Sequence, residues 1–325
     1  MVDLRPQSRA AAVLVCALAI GLVVTPPASA QRRAAPGTLP EIVERGTGDM
    51  TLVLLGCMSC RWRTWDGFME RNQGRYRMVA ATLPGFGGAP IPDLPMNAAA
   101  PVWHANAVAA IESLVTSRDL SEIVLVGHSF GGVIAVELAH RLGDRLEAIV
   151  FIDAWPTSDR SWFAEEPQER IRRAFSVPAD QAHLVEDPDE WQSFNAVSPL
   201  LETDRRLAYH GWFMATPPEV VLQYWRENHL VDLNPLLAAI DVPILDLKAI
   251  PASADDVEAY RESRRRHLAE NGDPPAVRSV FFHGTGHFIH EVRAEEVDRV
   301  IADFLEGRPL PDEIPETGPG STPRR

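Results

Sequence analysis

The stretch that decides the fold is EIVLVGHSFGGVIAVELAHRL, residues 122–142. It begins with a mostly apolar, β-branched run that predicts a buried strand, and from residue 130 its apolar residues recur at helical spacing. Ser129 lies between the two, flanked by Gly127 and Gly131, so that a helix can pack closely on the strand. The hydroxyl then stands at a helix N-terminus, where backbone N–H groups face whatever it attacks. This G-x-S-x-G pattern predicts a nucleophile elbow, the alternative being a glycine-rich structural turn.

Strand-like and helix-like segments alternate on both sides of this stretch. Continuous apolar strands separated by helices predict an α/β fold, with a mostly parallel sheet flanked by helices on both faces. The predicted strands are residues 51–56, 76–82, 122–127, 147–153, 242–248 and 278–282. A stretch rich in Trp, Pro, Arg and Glu, from about residue 156 to residue 234, interrupts the alternation and predicts an inserted helical cap.

The first thirty residues of the chain predict export. A positive start, an apolar run and Ala28-Ser29-Ala30 form a secretory signal peptide, with an uncleaved membrane anchor as the alternative. We expect a periplasmic or extracellular protein with no stable membrane anchor after cleavage. The acidic net charge of −14 argues against a nucleic-acid partner. The predicted organisation is signal peptide 1–30, linker 31–40, core 41–155, cap 156–235, core 236–306 and disordered tail 307–325.

Three further stretches complete a resemblance to the α/β-hydrolase superfamily over about residues 41–305. TLPGFGGAP at residues 82–90 is similar to the family's D-x-x-G-x-G-x-S loop, with Thr82 in place of Asp. GTGHFIHE at residues 284–291 is similar to the loop that carries the catalytic histidine, and the insertion lies where the family places its cap. The resemblance implies a serine hydrolase of esterase type.

A serine hydroxyl needs an adjacent base. His287 follows the last predicted strand and matches the family position, whereas the neighbouring His283 and His290 match it less well. His128 is expected to point away from the turn, and His210 in the cap is a candidate for substrate contact.

The acid of the triad remains open on the sequence. It must hold the imidazole in the correct tautomer. The family usually takes it from a Gly-x-x-Asp pattern after its seventh strand, where this chain has KAIPASADD with alanines at the matching positions. Some members place it after the sixth strand, where Asp153 lies. Asp153 is our first candidate, Asp255 or Asp256 the second, and Asp246 or no acid the third.

The oxyanion hole departs from the family pattern as well. One donor is expected to be the backbone N–H of Phe130, and the other that of Met58, in a loop where relatives often have His-Gly. Cys57 and Cys60 flank Met58 and form either a local disulfide or two free thiols. A disulfide would stiffen the loop that offers the second donor.

These residues predict acyl transfer to water without a cofactor or a metal. The serine at the elbow argues against the dehalogenases and epoxide hydrolases of the family, to which the resemblance assigns an Asp nucleophile. The expected substrate is a small or medium ester, thioester or lactone, since the cap offers apolar aromatic surface. Two alternatives stand beside this prediction: a cofactor-free lyase of the hydroxynitrile-lyase type, and an inactive binding protein. The oligomeric state is open. The cap aromatics are Trp155, Trp162, Trp191, Trp212, Phe213, Tyr224 and Trp225.

Overall fold

A central sheet carries the fold of this protein. The structure, a computed structural model, describes residues 32–154, 201–231, 233–250, 258, 262 and 277–316. Within them, eight strands form one sheet in the order β10-β9-β8-β7-β6-β3-β4-β2, and β1 and β5 form a separate parallel pair. The strands are β1 (Arg33–Ala34), β2 (Glu41–Arg45), β3 (Thr51–Leu55), β4 (Arg77–Thr82), β5 (Ile91–Pro92), β6 (Ile123–His128), β7 (Leu146–Ile152), β8 (Ile244–Ile250), β9 (Val277–His283) and β10 (Glu313–Ile314).

Helices follow most of the central strands. The described helices are α1 (Asp66–Asn72), α2 (Val102–Ser117), α3 (Phe130–Leu142), α4 (Thr203–Ala215), α5 (Pro218–Leu230), α6 (Asn234–Ala238), α7 (Ile289–Val292) and α8 (Ala294–Leu305). Short 3₁₀ turns lie at Trp62–Trp65, Phe86–Gly88 and Gly143–Arg145. Every neighbouring pair in the eight-stranded sheet is parallel except β2 and β4. The sequence prediction of a mostly parallel α/β fold is therefore confirmed.

The two faces of the sheet bury two separate apolar layers. Val53 and Leu125 point into a layer with α2 and α3, whereas Leu52 and Val124 point into a layer with α1 and α8. Successive side chains of a strand point to opposite faces, so strands covered on both sides are apolar at most positions rather than at every second one. This is why the central strands could be read from the sequence as continuous apolar runs.

The prediction for the tail was wrong for residues 307–316. Strand β10 pairs with β9 in parallel, and the Ile314 side chain is 6% exposed in the layer with α8. The Arg293 guanidinium also donates to the carbonyl of Pro315. One buried isoleucine and a few backbone hydrogen bonds order a segment whose proline and glycine content had suggested disorder. Residues 317–325 lie outside the described residues.

The predicted linker and cap contain regular structure where they are described. Strand β1, inside the predicted linker, pairs with β5. Helices α4 and α5 lie within the predicted cap, whereas residues 155–200 of that cap lie outside the described residues. The predicted signal peptide lies outside them too. No helix in the described ranges is both long and apolar enough to span a bilayer.

Candidate active site

Ser129 lies at a sharp turn between β6 and α3. Its backbone has φ 52° and ψ −118°, in the left-handed half of φ space that side chains other than glycine rarely adopt. Strained backbone of this kind is concentrated at functional sites, where the surrounding structure enforces it. Here the enforcement is close packing, since a Cβ atom on Gly131 would lie 2.1 Å from the carbonyl oxygen of Leu55. The glycine allows α3 to begin directly against β3.

His287 is oriented by Asp153. Asp153 follows β7 and His287 follows β9, and the distance from His287 Nδ1 to Asp153 Oδ2 is 2.6 Å. The two side chains are 25% and 16% exposed, so they are largely but not completely withdrawn from water. With Nδ1 donating to the carboxylate, Nε2 is the free acceptor of the imidazole. The structure thus brings together the predicted base and our first candidate for the acid.

The turn at Asp153 explains how its carboxylate reaches the histidine. Asp153 has φ 43°, and its N–H still bonds to the Leu247 carbonyl at 2.8 Å as part of the β7–β8 ladder. The next rung would join the N–H of Ala249 to the main-chain carbonyl of residue 153. Instead that N–H donates to Asp153 Oδ1 at 3.2 Å. One carboxylate oxygen is therefore fixed by the sheet while the other holds His287.

The other candidate acids fare differently. Asp246 is fully buried in β8 and lies 3.2 Å from the ammonium of Lys248, with which it forms an ion pair. Asp255 and Asp256 lie outside the described residues. Among the carboxylates that the structure describes, Asp153 is the one at hydrogen-bond distance from His287.

A buried histidine cluster supports the loop that carries His287. His128 is fully buried, and its Nε2 donates to the main-chain carbonyl of His287 at 2.9 Å. The His128 ring also lies 4.6 Å from the rings of His287 and His290. Its side chain therefore leaves the elbow on the side of the sheet that faces the histidine loop. The sequence did not indicate this supporting contact.

We predict that His290 makes the folded protein sensitive to acid. Burial lowers the pKa of His290 to about 4; the charge of Glu291, the next largest influence, acts in the opposite direction, and that of His287 adds to the lowering. The unfolded chain then binds a proton below about pH 6.5 that the folded chain binds only near pH 4, so stability falls as the pH falls through this window.

For His290 we expect a loss of about 2 kcal/mol in the free energy of unfolding between pH 7 and pH 5. Urea unfolding of the wild type and of His290→Gln at both pH values isolates this contribution. The variant should lose less stability on acidification, and parallel losses in the two proteins would contradict the prediction.

The two expected oxyanion donors follow neighbouring strands, β3 and β6. Leu55 at the end of β3 is in register with Gly127 of β6, so the loop after β3 lies beside the elbow. Phe130 is the first residue of α3, and its N–H is one of the amides that an α-helix leaves without an intrahelical partner. Met58 is partly buried against the core on the α3 face.

The loop of Met58 is closed at both ends. Cys57 and Cys60 are joined as a disulfide, their Cα atoms lie 5.1 Å apart, and the N–H of Cys60 bonds to the carbonyl of Cys57 at 3.1 Å. Ser59 between them has φ 63°. Arg61, directly after the loop, donates from Nε to Glu41 Oε2 at 3.1 Å. The Met58 amide is thereby held in a short, doubly anchored turn.

Glu41 places a carboxylate beside Thr82, where the family pattern has an aspartate. The two residues are register partners across β2 and β4, and Thr82 Oγ1 donates to Glu41 Oε2 at 2.8 Å. Desolvation raises the pKa of Glu41, but the hydrogen bonds from Arg61 and Thr82 outweigh it, so the pKa is lowered. A carboxylate from the neighbouring strand thus lies beside the loop after β3.

We predict that the disulfide matters for catalysis through the Met58 amide. The variant Cys57→Ser/Cys60→Ser should fold, keep its KM, and lose about tenfold in kcat, less than the 10²- to 10³-fold typical of a deleted oxyanion donor. The reason is that the turn loosens while the N–H itself remains.

Reductant should lower the kcat of the wild type towards that of the variant and leave the variant unchanged. Thiol alkylation read by mass spectrometry gives the redox state of each sample. Alkylation of both cysteines without reductant in fully active protein would refute the prediction.

Helix α4 contacts the histidine loop from above. The Tyr209 hydroxyl lies 2.6 Å from Thr64 Oγ1 and donates to Glu291, which also pairs with Arg205. Phe288 packs on Tyr209 with ring centroids 4.2 Å apart. The described part of the predicted cap therefore holds the segment that follows His287.

The aromatic residues of the predicted cap have different surroundings. Tyr224 is fully buried against Phe86 and Phe130, at centroid distances of 4.8 and 5.5 Å, so it packs the core. Trp212 and Phe213 pack beside the disulfide. His210 and Trp225 lie on α4 and α5. Trp155, Trp162 and Trp191 lie outside the described residues.

The described ranges contain no group of three or more His, Cys, Asp or Glu side chains placed to bind one ion.

The chain is similar in sequence to one protein family and to several individual proteins. The model of the alpha/beta hydrolase family matches residues 52–300. A 2-hydroxymuconate semialdehyde hydrolase of Pseudomonas sp. (strain CF600) is 26% identical over 203 residues, 55% of this chain and 70% of the relative. The lipase LipV of Mycobacterium tuberculosis is 25% identical over 160 residues, 47% of this chain and 60% of the relative.

Among solved structures, a thermophilic esterase from Thermogutta terrifontis superimposes with a TM-score of 0.62 at 21% identity. The match covers 82% of this chain and 93% of the esterase. At this identity the likeness concerns the fold.

Proposed function

This chain belongs to the alpha/beta hydrolase family, and we propose that it is a serine hydrolase that cleaves a small or medium ester through an acyl-enzyme. The observation that carries the proposal is the 2.6 Å contact between Asp153 Oδ2 and His287 Nδ1, in a protein whose strained elbow presents Ser129. A hydroxyl, an imidazole and a carboxylate in this order are the groups that nucleophilic acyl transfer requires.

In the proposed first half-reaction, Ser129 Oγ attacks the ester carbonyl carbon. His287 Nε2 takes the hydroxyl proton as the new C–O bond forms, and it then gives that proton to the departing alcohol. Asp153 keeps the imidazole in the Nδ1–H tautomer and stabilises the imidazolium. The developing oxyanion is bound by the N–H groups of Phe130 and Met58.

In the second half-reaction, water replaces the alcohol. His287 removes a proton from the water, the resulting hydroxide attacks the acyl carbon, and the proton returns to Ser129 Oγ as the acid leaves. No other group is consumed, so the reaction balances as ester plus water giving acid plus alcohol. The same two N–H donors serve both tetrahedral intermediates.

The choice of an ester rests on two supports. Among the relatives, one is named a lipase and one structural neighbour an esterase. The aromatic side chains of the cap helix α4 pack against Phe288 and the Cys57–Cys60 loop, and aromatic surface beside these loops favours a compact apolar group over a polymer.

The test is a substrate panel with residues 31–325. We expect p-nitrophenyl esters with short and medium acyl chains to be hydrolysed, with kcat/KM falling for long chains. The panel adds a thioester, a lactone, an amide, a cyanohydrin and 2-hydroxymuconate semialdehyde, the last because of the relative's name. Cleavage of the cyanohydrin alone would transfer the proposal to a lyase, and no turnover by well-folded protein would favour a binding protein.

We further propose that the protein is exported. The sequence of residues 1–30 and the Cys57–Cys60 disulfide support this, because disulfides persist in oxidising compartments. Alkaline phosphatase fused after residue 40 should be active in a bacterial host. Deletion of residues 10–24 should abolish that activity, and an active fusion without them would contradict export by this segment.

A further inference from the structure

Lys248 is the only lysine in the 325-residue sequence, and it is fully buried. Every other strongly basic side chain of the chain is an arginine. Burying an ammonium group forfeits its hydration and costs several kcal/mol unless partners replace the water. The partners of this single buried ammonium therefore indicate which part of the molecule it supports.

The first partner is a charge on the same strand. Asp246 and Lys248 are two residues apart in β8, so both side chains point to one face of the sheet, while Leu245 and Leu247 point to the other. Lys248 Nζ lies 3.2 Å from Asp246 Oδ1, and both side chains are fully buried. The pair is electrically neutral, yet an apolar pair of similar volume commonly serves stability as well or better.

The second partner belongs to the candidate active site. The Lys248 ammonium donates to the main-chain carbonyl of Ala154, the residue directly after Asp153. The next residue of β8, Ala249, donates its N–H to Asp153 Oδ1. Two consecutive residues of one strand therefore hold the turn that presents the carboxylate, one through the side chain of Asp153 and one through the carbonyl behind it.

That turn needs support. Asp153 has φ 43°, a conformation that is unfavourable for a residue with a side chain and persists where the surroundings impose it. If the carbonyl of Ala154 were free to rotate, the peptide after Asp153 could relax and Oδ2 would leave the line to His287. The ammonium group of a lysine has three N–H donors on one nitrogen, so it can bond to two acceptors at once and hold them at a fixed separation.

We propose that Lys248 is a positioning residue of the triad: its ammonium fixes the turn at residues 153–154 so that Asp153 Oδ2 stays on His287 Nδ1. Asp246 balances the charge of the ammonium. The proposal rests on the proposed function, in which Asp153 is the acid.

The main test is the variant Asp246→Leu/Lys248→Met, which removes both charges and leaves no unpaired ion in the core. We expect it to fold with an unchanged or higher Tm, to keep KM within about twofold, and to lose about 10- to 100-fold in kcat. The low-field proton resonance of the His287–Asp153 hydrogen bond should broaden or shift. The matched control is Glu112→Gln/Arg141→Met, which removes an ion pair of 3.1 Å between α2 and α3. This control should change neither kcat nor the low-field resonance.

The sole lysine also allows a measurement that needs no variant of β8. Protein made with ¹⁵N-labelled lysine carries one side-chain ammonium signal. We expect Asp153→Ala to move that signal, because the Ala249 N–H loses its acceptor on Asp153 and the turn next to Lys248 rearranges. The control substitution Arg141→Met should leave the ammonium signal of Lys248 unchanged.

The outcomes separate the two proposals. A double variant with wild-type kcat and an unchanged low-field proton would overturn the role of Lys248 while leaving the hydrolase intact. If the double variant does not fold, an ammonium signal that does not move in Asp153→Ala overturns the role instead. A wild type without hydrolase activity overturns the proposed function, whatever the lysine signal does.

Discussion

Ser129→Ala should lower kcat for ester hydrolysis by about 10⁴- to 10⁶-fold, the largest effect that any single substitution in this chain is expected to have. Alanine removes the oxygen that forms the acyl-enzyme, whereas the elbow is held by glycine packing and by the Ser129 N–H on the Ile152 carbonyl at 3.1 Å. We therefore expect Tm to change little or to rise, since catalytic sites commonly trade stability for function. Steady-state kinetics and thermal unfolding measure the two quantities.

The control for this prediction is Ser121→Ala, an exposed serine just before β6, which should keep full activity. His287→Gln should lose a similar factor, and the double variant should lose little more than either alone, because the two groups act as one unit. Substantial hydrolysis by Ser129→Ala, with the same substrate preference as the wild type, would mean that another nucleophile acts.

Asp153→Asn should lower kcat by about 10²- to 10⁴-fold with a small effect on KM. The amide is the same size as the carboxylate, so the turn can form, but it can present its NH₂ group to His287 Nδ1 and select the wrong tautomer. It also cannot stabilise the imidazolium. Its residual activity comes from the oxyanion donors and the bound substrate.

Asp255→Asn and Asp256→Asn are matched controls, since the sequence alone left these carboxylates open as the acid. Each should keep kcat within about twofold. A large loss in one of them, with near wild-type kcat in Asp153→Asn, would assign the acid elsewhere. Asp246 is unsuited as a control because it pairs with Lys248.

Local patterns allowed most of the fold to be predicted. The six predicted strands correspond to β3, β4, β6, β7, β8 and β9, since each contains several buried apolar residues. Strand β2 was missed because Glu41–Arg45 is half-exposed and carries charges, as an antiparallel edge strand can. Strand β10 was missed because a two-residue strand is set by its neighbour β9.

Local sequence patterns likewise indicate some residues of the candidate site and not others. Ser129 is marked by the glycines around it, and His287 by its place after the last long strand, so both could be named from the sequence. The acid could not, because several carboxylates follow strands and only the φ of Asp153 directs one of them to the histidine. The contact of His128 with the His287 carbonyl joins residues 159 positions apart, and local spacing carries no signal of it.

Glu41 and Lys248 each contact a residue that lies on, or directly after, the neighbouring strand. Thr82, where the family pattern has an aspartate, donates to the carboxylate of Glu41, its register partner on β2. The support of the Asp153 turn comes from Lys248 on the neighbouring strand.

The most direct measurement is covalent labelling of the mature chain with a fluorophosphonate, followed by mass spectrometry of the modified peptide. A working Ser129–His287 pair predicts one stoichiometric adduct on Ser129, absent from Ser129→Ala and strongly slowed in His287→Gln. A well-folded protein that forms no adduct, or forms it on another residue, would contradict the assignment of Ser129 as the nucleophile.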